Sequence, residues 1–175
     1  VLSIHGDDRT DEYYWLSNRG DSKVIDYLNS ENQYREDFMK DYKSLEKSLL
    51  DTNPDFVFHL AAQPLVRYSY NNPKETFDTN FAGSLNILEC VRKLKKIKSS
   101  IIITTDKVYD TKKNKIFKEN DNLGGYDPYS ASKVCVEFLF NSYVKSFYRK
   151  NKNQMLATVR AGNVIGGGDY SEDRL

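Results

Sequence analysis

Glycine is scarce near the start of the given sequence. Between Ile4 and Trp15 the only glycine is Gly6, and four carboxylates (Asp7, Asp8, Asp11 and Glu12) crowd the same stretch. A dinucleotide fold needs glycines after its first strand, for the tight turn and for close backbone approach to a pyrophosphate. Carboxylates there repel that group. Cysteine is also scarce. Cys90 and Cys135 are the only two, which excludes a disulfide framework or a cysteine metal cluster and reads as core thiols in a reducing compartment. Two histidines, His5 and His59, are too few and too far apart for a metal site, so no metal is expected. Charge of one sign is absent as well. Lys and Arg number 26 against 25 Asp and Glu, so the net charge of +1 gives no general reason to bind nucleic acid or a membrane. No apolar run approaches a membrane span and no secretory pattern opens the given sequence. The expected compartment is the cytoplasm.

What is present is a regular alternation of strand-length and helix-length segments. The apolar runs Phe56-Val57-Phe58-His59-Leu60-Ala61-Ala62, Ile101-Ile102-Ile103-Thr104-Thr105 and Leu156-Ala157-Thr158-Val159 read as strands, with Val24-Ile25 as a shorter one. Near-continuous apolar strands suit a parallel sheet covered on both faces. Phe81, Leu85, Leu88 and Val91 make one helical stripe; Val136, Phe140, Tyr143 and Phe147 make another. Strand and helix in alternation predict an α/β doubly wound parallel sheet of the Rossmann type, one domain over residues 1–175. Ligands in such sheets sit beyond the carboxyl ends of the strands, which points to residues 59–63, 104–107 and 160–163.

Tyr129-Ser130-Ala131-Ser132-Lys133 is a Tyr-x-x-x-Lys, a spacing that puts both side chains on one helix face. An ammonium beside a phenol favours the phenolate and makes a general base. The spacing alone is weak evidence, because the chain has 13 tyrosines and repeats it at Tyr70, Tyr109 and Tyr148. Context selects Tyr129. It follows the turn Gly124-Gly125-Tyr126-Asp127-Pro128, opens a long amphipathic helix, and comes after a strand that ends in Thr104-Thr105-Asp106-Lys107.

At these residues the sequence resembles the extended short-chain dehydrogenase/reductases. Four longer motifs narrow the resemblance: residues 59–67 (HLAAQPLVR), 104–109 (TTDKVY), 124–130 (GGYDPYS) and 160–169 (RAGNVIGGGD). In order, they look like those of the NAD-dependent sugar-nucleotide dehydratases of the CDP-glucose 4,6-dehydratase type. Lys107 supports that type, since the dTDP-glucose enzymes carry glutamate at the matching place and an epimerase a small or neutral residue.

The resemblance implies an enzyme that converts CDP-glucose to the 4-keto-6-deoxy sugar with NAD as a retained cofactor. It implies catalytic roles for Thr105, Asp106, Lys107, Tyr129 and Lys133. Tyr129 would be base for the 4-hydroxyl, with Lys133 as its partner and a ribose ligand. Thr105 would bond the reacting hydroxyl, Asp106 would protonate the departing 6-hydroxyl, and Lys107 would help remove the C5 proton. Lys107 has a plainer reading as well, as a lysine holding a phosphate or pairing with Asp106. Cofactor contacts are implied at Asp37, Ala61, Ala62, Gln63, Asn80, Thr104, Tyr129 and Lys133, and substrate contacts at Gln63, Asn163 and Arg174. Asn80 reads equally as a helix N-cap. The resemblance further implies a homodimer built on a four-helix bundle of residues 81–94 and 134–147. The start at Val1 rather than a methionine and the close at Leu175 soon after a glycine cluster predict a piece of a longer protein, with the C-terminal substrate domain largely missing. In that reading Val1-Leu2-Ser3-Ile4 is the remains of the first strand, Trp15-Leu16-Ser17 begins the first helix, and Val24-Ile25 is the second strand. A non-enzymatic remnant that binds nucleotide weakly stays open as a different class of function.

Overall fold

The computed structural model describes residues 2–4, 7–9, 14–18, 20–112, 115–149 and 153–165. The chain divides into two compact units, one of Val1–Arg35 with Ile165–Leu175 and one of Glu36–Val164.

In the first unit, strand β1 (Leu2–Ile4) pairs antiparallel with β2 (Asp7–Arg9), Leu2 opposite Arg9 and Ile4 opposite Asp7. Just two residues separate these strands, and a parallel connection needs a dozen or more. The expected first strand of a parallel sheet is therefore one arm of a hairpin. Tyr14–Ser17 forms a turn of 3-10 helix. Val24 and Ile25 are not a strand: they lie in helix α1 (Ser22–Lys40). Asp21 decides this, because its carboxylate accepts from Lys23 N at 2.9 Å and its carbonyl from Val24 N at 3.0 Å, which starts a helix.

The second unit continues through α2 (Tyr42–Thr52), capped by Asp41, to β3 (Phe56–His59). Strands β4 (Ser99–Thr105) and β5 (Met155–Ala161) complete a parallel sheet in the order β3-β4-β5. Phe56 lies opposite Ser99, and Thr105 opposite Ala161. This is the Rossmann-type α/β class. Both crossovers step the same way, and right-handed crossovers then put both helical layers on one face. Val57, Ile102, Ile87, Leu88, Val91, Val136 and Phe140 form the core on that face. The opposite face carries Phe56 and Phe58, 59% and 62% exposed, and Met155, 69% exposed. Among the described residues these side chains of the opposite face stay exposed, since both crossovers run the same way.

The first crossover contains α3 (Val66–Asn71), α4 (Pro73–Phe77), a π-helical turn over Asp78–Ala82, and α5 (Gly83–Lys93). The π turn inserts an extra residue and rotates the apolar stripe. Ile87, Leu88, Cys90 and Val91 are buried while Phe81 and Leu85 are half-buried. The second crossover is α6 (Pro128–Tyr143), followed by a π turn over Val144–Tyr148. Asp127 caps α6 by accepting from Ser130 N at 2.9 Å, and Pro128 takes the first helical position. Here too the π turn shifts the stripe by one, so Tyr148 is buried and Phe147 is 48% exposed. No helix among the described residues is long and apolar enough to cross a membrane.

Candidate active site

The carboxyl end of β4 turns at once into a short 3-10 helix, Asp106–Val108. Thr105 makes that turn, its Oγ1 accepting from Lys107 N at 3.3 Å and lying 3.3 Å from Asp106 Oδ1. The Thr105 side chain is buried, whereas the Asp106 and Lys107 side chains are 53% and 41% exposed. Lys107 Nζ donates to Asn163 Oδ1 at 3.1 Å and stands 3.7 Å from Asp106 Oδ1. Asn163 follows the end of β5, the neighbouring strand. Gly162 lies beside Asp106, and a Cβ on it would meet Asp106 Oδ2 at 3.5 Å, an ordinary contact. The sheet thus brings a carboxylate, an amine and an amide together at an open edge.

Helix α6 packs on β4 and on the 106–108 turn, so its first turn shares that end of the sheet. Tyr129 is buried and its backbone N donates to Ser69 Oγ at 3.1 Å. Lys133, one turn on, is 4% exposed and donates from Nζ to Ile103 O at 3.3 Å. Burial disfavours its ammonium and lowers its pKa to about 8. Of the other three Tyr-x-x-x-Lys pairs, Tyr70 is exposed, and Lys113 and Lys152, the partners of Tyr109 and Tyr148, lie outside the described residues.

The loop after β3 is held by buried polar side chains. Asn80 Oδ1 accepts from Gln63 N at 2.8 Å, and its Nδ2 donates to Gln63 O at 3.1 Å and to Ser132 Oγ at 2.9 Å. Asn80 is therefore a clamp between the loop and α6. It sits inside the π turn, not at a helix start, so the N-cap reading is corrected. Gln63 is also engaged inside the protein, its Nε2 donating to Leu65 O at 3.1 Å and Thr76 Oγ1 at 2.9 Å. Thr104 is buried and donates from its hydroxyl to Glu137 Oε1. Ala61 and Ala62 are half-buried at the end of β3. Asp37 is exposed on α1, and Arg174 lies outside the described residues.

Two further buried groups stand near the site, His59, which the strand-end rule included without a role, and Glu137, which the sequence reading missed. His59 is 5% exposed with Nε2 3.1 Å from Ser84 Oγ. The Ser84 hydroxyl donates to Asn80 O at 2.6 Å, which commits its one proton and makes Nε2 of His59 the donor. Burial, with the Lys133 charge second, lowers the His59 pKa to about 4, so the ring is neutral near pH 7. Glu137 is 1% exposed and paired with Arg160. A signal existed: Glu137 is a lone carboxylate within the apolar run 134–140, four residues after Lys133.

The residues fit one end of a nicotinamide dinucleotide better than the other. Tyr129 and Lys133, with the small side chains of Ala61 and Ala62, fit the nicotinamide ribose. The pyrophosphate end requires a strand, a glycine turn and a helix, and residues 5, 6 and 10–13, where the sequence would have to supply that turn, lie outside the described residues.

The family described as GDP-mannose 4,6 dehydratase matches residues 7–158 of the chain. CDP-glucose 4,6-dehydratase of Salmonella typhimurium is 45% identical over 142 residues, 78% of this chain and 40% of that protein. Among solved structures, UDP-glucose 4-epimerase of Thermotoga maritima with UDP-glucose is 27% identical with a TM-score of 0.64, over 73% of this chain and 40% of that one. UDP-glucose 4-epimerase of Thermus thermophilus in complex with NAD is 26% identical, also with a TM-score of 0.64 and the same coverage. The chain spans about 40% of the length of these relatives.

Proposed function

The chain belongs to the GDP-mannose 4,6 dehydratase family, and we propose that it carries the catalytic end of a sugar-nucleotide 4,6-dehydratase acting on CDP-glucose. The observation that carries this reading is the joint placement of two sets of groups at one end of the sheet. Tyr129 and Lys133 suit alcohol oxidation; Asp106 and Lys107 suit elimination of water.

Tyr129 takes the proton of the sugar 4-hydroxyl, and the Lys133 ammonium favours the phenolate that does so. Thr105 bonds the same hydroxyl. Tyr129 and Lys133 would hold NAD at its ribose, and the cofactor would supply the hydride acceptor. The 4-ketone makes the C5 proton acidic. Lys107 accepts that proton while Asp106 gives one to the departing 6-hydroxyl, so water leaves across C5 and C6. Elimination beside a ketone needs a base at one carbon and an acid at the next, and adjacent residues on one turn supply both. Gln63, Asn80 and Thr104 act here mainly by holding the loop and strand ends. Asn163 and Arg174 are assigned to the substrate, and Asp37 to the adenine side of NAD. Exposed Phe138 and Phe147 favour pairing of two copies through the long helices, with cytoplasmic NAD and sugar nucleotide as the surroundings.

The test is nucleotide release on denaturation, followed by turnover of CDP-glucose beside dTDP-glucose and UDP-glucose. Near-stoichiometric NAD and a ketosugar product from CDP-glucose are expected. A folded protein that neither carries nor binds NAD overturns the reading. That outcome would leave the alternative reading, a remnant with weak nucleotide binding.

A further inference from the structure

One buried carboxylate on α6 bonds to both strands that lead into the proposed site. Glu137, on α6, receives Arg160 Nε at 3.1 Å and Nη2 at 2.9 Å, a bidentate pair. Its Oε1 also accepts from Thr104 on β4 at 2.5 Å, and its Oε2 from Thr158 on β5 at 3.4 Å. Arg160 then reaches a fourth element. Its Nη1 donates to Glu119 O at 2.9 Å, and its guanidinium lies 4.9 Å from the centre of the Tyr109 ring. Tyr109 stacks on Phe117 at 4.8 Å and is bridged to Leu123, so Arg160 ties the strand to Tyr109, Phe117, Glu119 and Leu123.

The sequence neighbours of these contacts are the reacting groups. Thr104 directly precedes Thr105, Asp106 and Lys107. Arg160 is three residues before Asn163. Glu137 is one turn after Lys133. A buried ion pair gains little net stability over an apolar pair of the same volume, because both charges are desolvated. What it does supply is a fixed geometry, since each oxygen accepts from donors on different strands.

We propose that Glu137, acting through Thr104 and Arg160, is a positioning residue that sets the spacing of Asp106 and Lys107 from Asn163. It touches neither substrate nor cofactor. The proposal rests on the reading above for the chemistry of those groups, but its geometric content stands apart from that chemistry. Tyr129 and Lys133 have their own anchors in Ser69 and Ile103, so the oxidation step depends less on Glu137 than the elimination does.

The test compares wild type with the double variant Glu137→Leu/Arg160→Met, which removes both charges together, and with Glu137→Gln, which keeps size. Three quantities are read: melting temperature, amide hydrogen exchange, and the build-up of reduced nicotinamide during turnover of CDP-glucose. The double variant is expected to melt near wild type. Its exchange at residues 104–108 and 160–163 rises about tenfold, while residues 56–59 are unchanged. Elimination slows by about 100-fold, as a misplaced acid and base predict, so reduced nicotinamide accumulates. A purely structural role would slow both half-reactions alike and leave no such build-up. Unchanged exchange, or an unchanged ratio of the two half-reactions, overturns the proposal. Should the double variant not fold, Glu137→Gln decides by the same readouts. Absence of turnover in wild type counts against the proposed function, and hydrogen exchange alone then decides the positioning role.

Discussion

Lys107 donates from Nζ to Asn163 Oδ1 at 3.1 Å, across 56 positions of sequence and the ends of two adjacent parallel strands. The bond aims the amine along the open edge where Asp106 also stands. Replacing Lys107 by Met removes the amine and keeps much of the stem. Turnover of CDP-glucose is expected to fall by about 10²–10⁴-fold, the usual worth of one general acid or base. NAD content after purification should not change, since Lys107 has no assigned cofactor contact. Parallel loss of NAD would show that the lysine holds the nucleotide instead.

His59 is buried as a neutral ring, and this predicts an acid-sensitive fold. Its pKa is about 4 in the folded protein against an ordinary value of 6.5. Between these values the unfolded chain binds more protons, so stability falls as pH drops from about 6.5 to about 4. The loss is on the order of 3 kcal/mol. Urea unfolding at several pH values would show it as a slope, and His59→Gln should flatten that slope. An equal slope in the variant would assign the acid limb to other groups.

Lys133 works in the alkaline range by the same logic. Burial lowers its pKa to about 8 from 10.5, so the folded state resists its protonation. The unfolded chain holds more protons between those values, and stability therefore rises with pH across that window. Below pH 8 the buried ammonium costs about 3 kcal/mol. Lys133→Met should melt higher than wild type at pH 7, with the gap closing toward pH 10.5. The same variant should be inactive, which would separate a functional lysine from a stabilising one.

Gly125 adopts φ +94°, and a Cβ on it would lie 3.0 Å from the Ala131 Cα and 3.1 Å from the Val134 side chain. Both the conformation and the space exclude a side chain. Gly125→Ala is expected to cost about 1–3 kcal/mol in chemical denaturation. A smaller cost would mean that the turn shifts away from α6, and activity should then drop because Tyr129 opens that helix.

Much of the site was legible because its signals are local. Asp127 and Pro128 marked the start of α6, and the apolar runs 56–62 and 101–105 marked two strands, the first of which stops earlier than read, at His59. The strand-end rule then collected Asp106, Lys107 and Asn163. Less legible were side chains whose partners lie far along the chain. Asn80 and Ser132 are 52 positions apart, and Thr104 and Glu137 are 33 apart. No spacing rule connects such residues. The π turns were also hidden, since a one-residue insertion changes no residue type but rotates every later side chain, as Phe147 and Tyr148 show.

The sequence by itself determined the α/β class, the three parallel strands and the start of α6, which carries Tyr129 and Lys133 one turn apart. Periodicity, caps and turns act over a few residues and are written in order along the chain. Tertiary structure decided the rest. It made the first strand an arm of a hairpin, gave Asn80 and Gln63 to the scaffold, and buried Glu137 against Arg160. Those outcomes depend on which polar group finds a partner once water is excluded, and that is settled by packing in three dimensions.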